Sequence, residues 1–571
     1  MTRVMTGLIL LGIFIFSASF YQQFYIPKLI VLYGMAVVCL LFLGSRRKLR
    51  LPSNQTLIFM LCFLLAGAAL GMPSSAPLGA FMQWTYYQAA CLLYVAFLQF
   101  EQADLEKILG VIFVAAITQL VLLIPQHFGW HGILPEALVG DKGRVFGTLG
   151  NQEFLATLLG VAFFIGLHLR VQTEARHKRV LLLVACAALL LGLLLAESKG
   201  TLLFIGLYYL WQRIPSYRLL PGLALAALVL AIILFPASIK GRALLWLVAF
   251  AMYAQHFATG VGFLQFENHY LDVVRELFNT HPTLAQMFGS YTAMAMDAHN
   301  IYLQFAAELG SAGLLLAIVF TGYVLRRAKE NRDHLGAALL LLLFKCLYTV
   351  VLTSITSVIL LVLLLARTSP GRCVELGGTK RGAALVATPL IALLFVAAAA
   401  LSASDYFYQQ GMRALFMGRN ELALEQLNTA LAIDKENADA SLALAHASYL
   451  LRDYEPMHRH IQNALHYRKN KDSYKVAANM YYYAKRYDDA FALYQYLHAT
   501  FPQHLTSLTK LACIYMLRGD YENAHAMAQQ ALHTVPRKEA ESDEKNLAIA
   551  RQIVKDSAPY IIPSTNPNLR P

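Results

Sequence analysis

The sequence predicts an all-α, polytopic helical membrane protein of about 12–13 transmembrane helices that ends in a helical-repeat solenoid. Three observations carry this. The 571 residues are 58% hydrophobic and 14% charged, with a mean hydropathy of +0.50, whereas soluble domains run near 45–50% apolar and about 25% charged. Apolar runs of roughly 20 residues, the length that spans a bilayer, recur to about residue 402 and then stop. Beyond them the chain turns polar and repeats with a period of about 34 residues.

The apolar runs fall at 5–21, 27–44, 55–72, 83–99, 107–125, 150–169, 179–196, 200–212, 219–236, 301–325, 335–350, 352–366 and 383–402, within a membrane domain over 1–402. The first follows Arg3 but precedes no small-residue cleavage site, so it reads as a retained helix. Basic clusters alternate between runs: Arg46 to Arg50, Arg170 to Arg179, Arg213 with Arg218, Arg326 to Arg332 and Arg367 to Arg381. Positive loops face the cytoplasm. The long loop 237–300 and the C-terminal region are then expected on the opposite, outer side of the membrane. The net charge of +13 is a topology signal of these scattered clusters, and no single basic surface suggests nucleic acid. Five of the seven cysteines lie in apolar runs, leaving Cys373 and Cys513, so neither a disulfide framework nor a zinc ribbon is expected.

In the polar region, 403–555, small residues recur at Gly411, Ala445, Ala478 and Ala512, and again at Ala423, Ala490 and Ala524. Gly418 and Gly519 mark turns, and Pro502 and Pro536 close the third and fourth units. Met457 replaces one small residue, and Lys435 and Lys469 stand at two closing positions. This pattern resembles the tetratricopeptide repeat. That resemblance implies an α-solenoid that binds a protein partner, with a stabilising helical cap as the alternative. Residues 556–571, with Pro559, Pro563 and Pro567, are expected to be a disordered tail.

Charges at membrane depth are costly and mark candidate sites. Lys28, at the start of the second run, reads as a terminal lysine that snorkels, with a functional role as the alternative, and Lys345 either snorkels or lines a cavity. On the outer side, Arg144 leads through Gly147 and Gly150 to Asn151, which is placed to cap the next helix. Lys199 sits in the turn Glu197-Ser198-Lys199-Gly200, and Arg242 precedes an interfacial helix over 243–250. Each of the three is an ordinary surface cation when read alone. Together they could converge on a pyrophosphate. The long loop ends Asp297-Ala298-His299-Asn300-Ile301-Tyr302-Leu303-Gln304, followed by Glu308 and Gly310. A histidine at a helix mouth beside an aspartate can act as a base near neutral pH, or be structural. His256, His269 and His281 lack metal-ligand spacing, and no metal or cofactor is expected.

The segment from His299 through Asn300, Tyr302, Gln304, Glu308, Gly310 and Gly313 resembles the signature of the superfamily of O-antigen ligases, O-antigen polymerases and bacterial protein O-oligosaccharyltransferases. Gly241-Arg242 with Trp246, Gly260-Val-Gly262-Phe263 and Arg144 to Asn151 match as well, and the similarity covers about residues 20–366. Two positions depart from it: members commonly have Ser-Arg-Gly at 198–200, and ligases often have Asn-Pro-Asn where this chain has Asn151-Gln152-Glu153. The resemblance implies an enzyme of the bacterial inner membrane, with its large loop and repeat domain in the periplasm: a metal-independent inverting glycan transferase. It would take a glycan from a polyprenyl (undecaprenyl) pyrophosphate carrier to lipid A-core, a protein or another carrier-linked glycan. Implied roles are His299, Arg242 and Lys199 in catalysis, with Arg144, Asn151, Asn300, Gln304 and Glu308 binding substrate. A lipid-linked glycan transporter and a non-catalytic envelope scaffold are the alternatives from other classes. The absence of an evident broken helix pair speaks against the transporter.

Overall fold

A computed structural model describes residues 1–46, 48–71, 77–130, 134, 138, 144–213, 236–289, 295–331, 333–369, 371–375, 396, 399–400, 402–534 and 541–560. The chain is all-α apart from one two-stranded ribbon among these residues. The bundle contains α1 (Thr2–Phe14), α2 (Tyr25–Gly44), α3 (Asn54–Ala66, extended by a π turn Gly67–Gly71), α4 (Pro77–Phe97), α5 (Gln102–Phe128), α6 (Gln152–Gln172), α7 (Arg176–Leu195) and α8 (Lys199–Arg213). After α9 (Pro236–Gln255), α10 (Phe266–Thr280) and α11 (Pro282–Phe288) come α12 (Ile301–Glu330), α13 (His334–Cys346) and α14 (Ile355–Thr368).

Six described helical spans are long and apolar enough to cross a membrane: α2, α3 with its π turn, α5, α6, α7 and α12. The shorter α1, α13 and α14 and the apolar part of α8 accompany them. Nearly every residue of α14 is buried, which places this all-round apolar helix in the bundle interior. Val121, Leu181, Val184 and Leu191 instead stand exposed on α5 and α7, an apolar outer surface suited to lipid. Polar side chains set several boundaries. Ser53, Asn151, Asn300, Asp333 and Ser354 accept hydrogen bonds from the first turns of α3, α6, α12, α13 and α14. The strands β1 (Lys48–Leu51) and β2 (Arg372–Glu375) pair antiparallel, bringing two of the basic loops together at one end.

Three expectations change. The helix expected over 5–21 ends at Phe14, because the buried Lys28 ammonium donates to the carbonyls of Ile13 (3.1 Å) and Ile15 (2.7 Å). Lys28 thereby completes a helix end and does not snorkel. The helix expected to run unbroken over 301–325 is interrupted at Gly310 (φ 62°, ψ −152°). The expected loop 237–300 holds three helices, and Arg242 lies inside α9, which starts well before the interfacial helix expected at 243–250. The runs 219–236 and 383–402 fall almost wholly outside the described residues.

The repeat region begins with a helical stretch at 402–416, followed by α15 (Asn420–Ile433), α16 (Ala438–Leu450), α17 (Tyr454–Tyr467), α18 (Lys471–Tyr483), α19 (Tyr487–Thr500), α20 (Leu505–Leu517) and α21 (Tyr521–His533). These form four tetratricopeptide-like helix pairs. Ala445, Ala478, Ala512, Ala423, Ala490 and Ala524 are all buried without residual exposure, as the period requires, and Met457 fills the corresponding place in the second pair. A side chain at Gly411 would meet Leu427 at 2.5 Å, so the first pair needs glycine there. Left-handed residues turn each pair at Gly418, Arg452, Lys485 and Gly519. The closing Pro536 lies outside the described residues. A further helix, α22 (Glu541–Ser557), caps the array, and Tyr560 stacks on Tyr521 at 4.2 Å. The tail expected to be disordered from 556 is therefore ordered to 560, and 561–571 are outside the description.

The solenoid is fastened to the helical bundle along α10. Tyr496 Oη donates to Asp272 at 2.7 Å, Asn470 Nδ2 to Glu267 at 2.8 Å, and Asn268 Nδ2 to the Tyr467 carbonyl at 3.0 Å. Arg468 joins Asp439 (2.6 Å) and Glu267 (3.7 Å). Burial alone would lower its pKa, but these two carboxylates outweigh burial and raise it. Glu436 accepts from the backbone nitrogens of Leu78 and Gly79 at the start of α4.

Candidate functional site

The candidate residues gather at the end of the bundle that carries the solenoid. His299 stands at the mouth of α12 in a left-handed conformation (φ 48°) with its imidazole half exposed. Asp297 holds it twice: one carboxylate oxygen lies 2.9 Å from His299 Nδ1 and accepts from the His299 backbone nitrogen at 2.8 Å. That contact leaves Nε2 as the ring nitrogen not committed to Asp297. Next to it, Asn300 caps α12 by accepting from Tyr302 and Leu303, and its Nδ2 donates to the carbonyl of Leu347 at 3.0 Å.

The short turn after α13 is the meeting point. Arg242 Nε donates to the Tyr348 carbonyl at 3.4 Å, one residue beyond the carbonyl that Asn300 takes. The Arg242 guanidinium lies 5.8 Å from the Tyr348 ring centre, and the Lys345 ammonium 5.6 Å from the same ring. A side chain at Gly200 would collide with the Tyr348 hydroxyl, so the Lys199-Gly200 turn packs directly on that tyrosine. Lys199, expected in a turn, is the first residue of α8, and Glu197 makes the turn with φ 47°. Asn151 caps α6, and the neighbouring Glu153 pairs with the wholly buried Lys345. Arg242 and Asn300 thus bond this turn directly, Gly200 next to Lys199 packs on its tyrosine, and Glu153 at the start of α6 pairs with Lys345 just before it. Arg144 lies exposed at the far end of the 144–150 segment, which Gln119 and Gln126 tie to α5.

Gln304 and Glu308, expected to bind substrate, are buried and turned toward each other and the loop. Gln304 Nε2 donates to Glu308 at 2.8 Å, while its Oε1 accepts from the Ala298 nitrogen at 2.7 Å, beside His299. The break at Gly310 frees carbonyls of α12, and the loop before α10 fills them. Val261 and Gly262 donate to the carbonyls of Ala307 and Glu308, each at 2.9 Å. Gly260 (φ 70°) comes so close that a side chain would collide with the Glu308 backbone, and Phe263 seats against Gly71. The glycine-rich motif and the glutamate motif are therefore two halves of one joint that sets the position of His299.

Lys345, which the sequence marks as a charge at membrane depth, and Asp297, the acid beside His299, stand here together with Glu153 and Tyr348, to which sequence reasoning gives no role. Of the two readings open for Lys345, snorkelling fails: the side chain turns inward, fully buried. Below the site, an apolar cavity of about 140 Å³ is lined by Phe63, Tyr87, Tyr302, Phe305 and Leu352, among others. Among the described residues, no group of three His, Cys, Asp or Glu side chains could hold a metal ion.

No family model matches the chain, and no curated protein matches it. Among solved structures, the chain is similar to Pseudomonas aeruginosa PilF at 21% identity, covering 28% of this chain and 78% of that one, with a TM-score of 0.24. It is similar to a point mutant of MamA at 17% identity, covering 28% and 92%, with a TM-score of 0.21. The Cut9–Hcn1 hetero-tetramer of APC/C matches at 13% identity, covering 81% and 76%, with a TM-score of 0.23. Likenesses this low carry no statement about activity or partners.

Proposed function

We propose that the chain is an O-antigen ligase-like glycan transferase of the inner membrane, moving a glycan from a polyprenyl pyrophosphate carrier to an acceptor hydroxyl at the periplasmic face. The observation that carries this reading is the His299–Asp297 contact at the mouth of α12, joined through Asn300 to the turn that also receives Arg242. His299 Nε2 takes the proton of the acceptor hydroxyl as its oxygen bonds the anomeric carbon. The bond from that carbon to the phosphate oxygen breaks on the opposite face, and its electron pair leaves with the pyrophosphate, inverting the centre. Arg242 and Lys199 stabilise the charge that develops on the leaving group, with Arg144 as a weaker third cation. Gln304 and Glu308 act by positioning the His299 loop, and the apolar cavity beside Tyr302 suits part of the polyprenyl chain.

The acceptor separates three members of one class: lipid A-core, another carrier-linked glycan, or a protein. The docking of the solenoid on α10, within the loop that also bears His299, favours a protein acceptor or partner. Complementation of a deletion strain with His299→Ala tests the reading, with membrane abundance followed by immunoblot and lipopolysaccharide and pilin gels run in parallel. The variant is expected at normal abundance without glycan transfer. Full transfer by this variant would contradict the histidine's role.

A further inference from the structure

The Lys345 ammonium is wholly buried at the end of α13, and its carboxylate partner Glu153 reaches it from the first turn of α6. A buried ion pair is a poor way to stabilise a helix contact, because desolvating two charges costs several kcal/mol and apolar residues of similar volume often serve as well or better. The pair is also one-sided: the Lys345 side chain has no exposure, while that of Glu153 is 35% exposed. Lys345 and Arg242 face the same Tyr348 ring, and the charge of Arg242 acts on Lys345. The Glu153 carboxylate is therefore an anion at the solvent-facing side of a cationic corner.

We propose that Lys345 is an inner cation of the donor's pyrophosphate site and that Glu153 is its resident anion, displaced when the pyrophosphate binds. This rests on the glycan-transfer reading above. No covalent bond changes: Lys345 exchanges a carboxylate for a phosphate oxygen, and Glu153 turns to solvent. With the site empty, Glu153 neutralises a lysine that is otherwise costly to bury. With product bound, its return competes with the spent pyrophosphate carrier and speeds release. Such internal competition lowers the apparent affinity in proportion to the fraction of molecules whose site is open.

The test is calorimetric titration of the full-length protein in nanodiscs with inorganic pyrophosphate, with melting followed with and without the anion. Glu153→Gln is expected to bind pyrophosphate about tenfold more tightly than wild type, and Lys345→Gln about tenfold more weakly, as for one charged hydrogen bond gained or lost. The double variant Glu153→Gln/Lys345→Gln removes the pair as a neutral unit, so it retains the fold and is expected to bind as weakly as Lys345→Gln. Equal affinity of wild type and the double variant overturns this proposal alone and leaves the glycan-transfer reading in place. Failure of wild type to bind pyrophosphate at all overturns both.

Discussion

Asp297 and His299 form a closed local pair in which one carboxylate oxygen serves both the imidazole Nδ1, at 2.9 Å, and the His299 backbone nitrogen, at 2.8 Å. The aspartate fixes the ring and the left-handed backbone together, which in the proposed glycan transfer makes it a positioning residue for His299. His299→Ala is expected to lower the transfer rate by about 10²–10⁴-fold, the usual contribution of a general base. Asp297→Asn is expected to give a smaller loss, mainly in kcat, with donor KM little changed. A donor KM that rises while kcat holds would assign Asp297 to substrate binding.

Arg242 both carries charge and donates through Nε to the Tyr348 carbonyl. Lysine keeps the charge but has no equivalent fork. Arg242→Lys is therefore expected to retain part of the activity and Arg242→Ala almost none, with both variants present in the membrane at wild-type abundance. Equal, full activity of the two variants would remove Arg242 from the site.

The joint between α12 and the loop before α10 depends on glycine. At Gly310 (φ 62°) a side chain would lie 2.7 Å from the backbone of Ala258, and at Gly260 (φ 70°) it would run into that of Glu308. A sparsely populated backbone conformation of this kind costs a non-glycine residue on the order of 1–3 kcal/mol, and that of Gly310 (ψ −152°) lies in a region essentially restricted to glycine. Gly260→Ala and Gly310→Ala are expected to lower Tm and to abolish transfer through the displaced His299 loop. Gly206→Ala, inside α8 where a side chain meets open space, is expected to hold Tm or raise it slightly. Equal melting of all three variants would show that the joint bears no load.

The solenoid has its own pH response. Burial first, with Lys471 and Lys475 adding to it, depresses the His504 pKa from the ordinary 6.5 to about 3. Between those values the unfolded chain binds a proton that the folded chain refuses, so stability falls as pH drops through this window and is complete above it. Relative to His504→Asn, wild type is expected to lose stability progressively below about pH 6.5. Melting curves of the two proteins that shift in parallel from pH 7 to pH 4 would contradict this.

Tyr496 donates to Asp272 across the contact between solenoid and bundle. Tyr496→Phe removes a hydrogen bond to a charged acceptor, worth about 1.5–3 kcal/mol. Faster amide exchange confined to α10 and its partners α17 to α19 is the expected result. Unchanged exchange there would mean that the contact is held by other groups.

Much of this architecture is legible in the sequence because apolar length and a 34-residue period are local signals. Helices stand at all eleven of the expected membrane runs that the description covers, and the small residues of the repeat are buried as their spacing requires. What is not legible depends on long-range partners. Lys28 reads as a snorkelling lysine because nothing in its neighbourhood reveals that its ammonium completes the end of α1. Lys345 and Glu153 are 192 residues apart in sequence, and each alone reads as an oddity: a charge in an apolar helix and a departure from a motif. Gln304 and Glu308 are visible as a motif, but their role in holding Ala298 and the glycine loop emerges only with the break at Gly310.

Purified full-length protein, reconstituted with a polyprenyl-pyrophosphate-linked oligosaccharide carrying a labelled sugar and with candidate acceptors, tests the central claim most directly. Wild type is expected to move the label to one acceptor and release the polyprenyl pyrophosphate in equal amount, and His299→Ala to do neither. No transfer by folded wild type to lipid A-core, carrier-linked glycan or pilin, or equal transfer by His299→Ala, would contradict it.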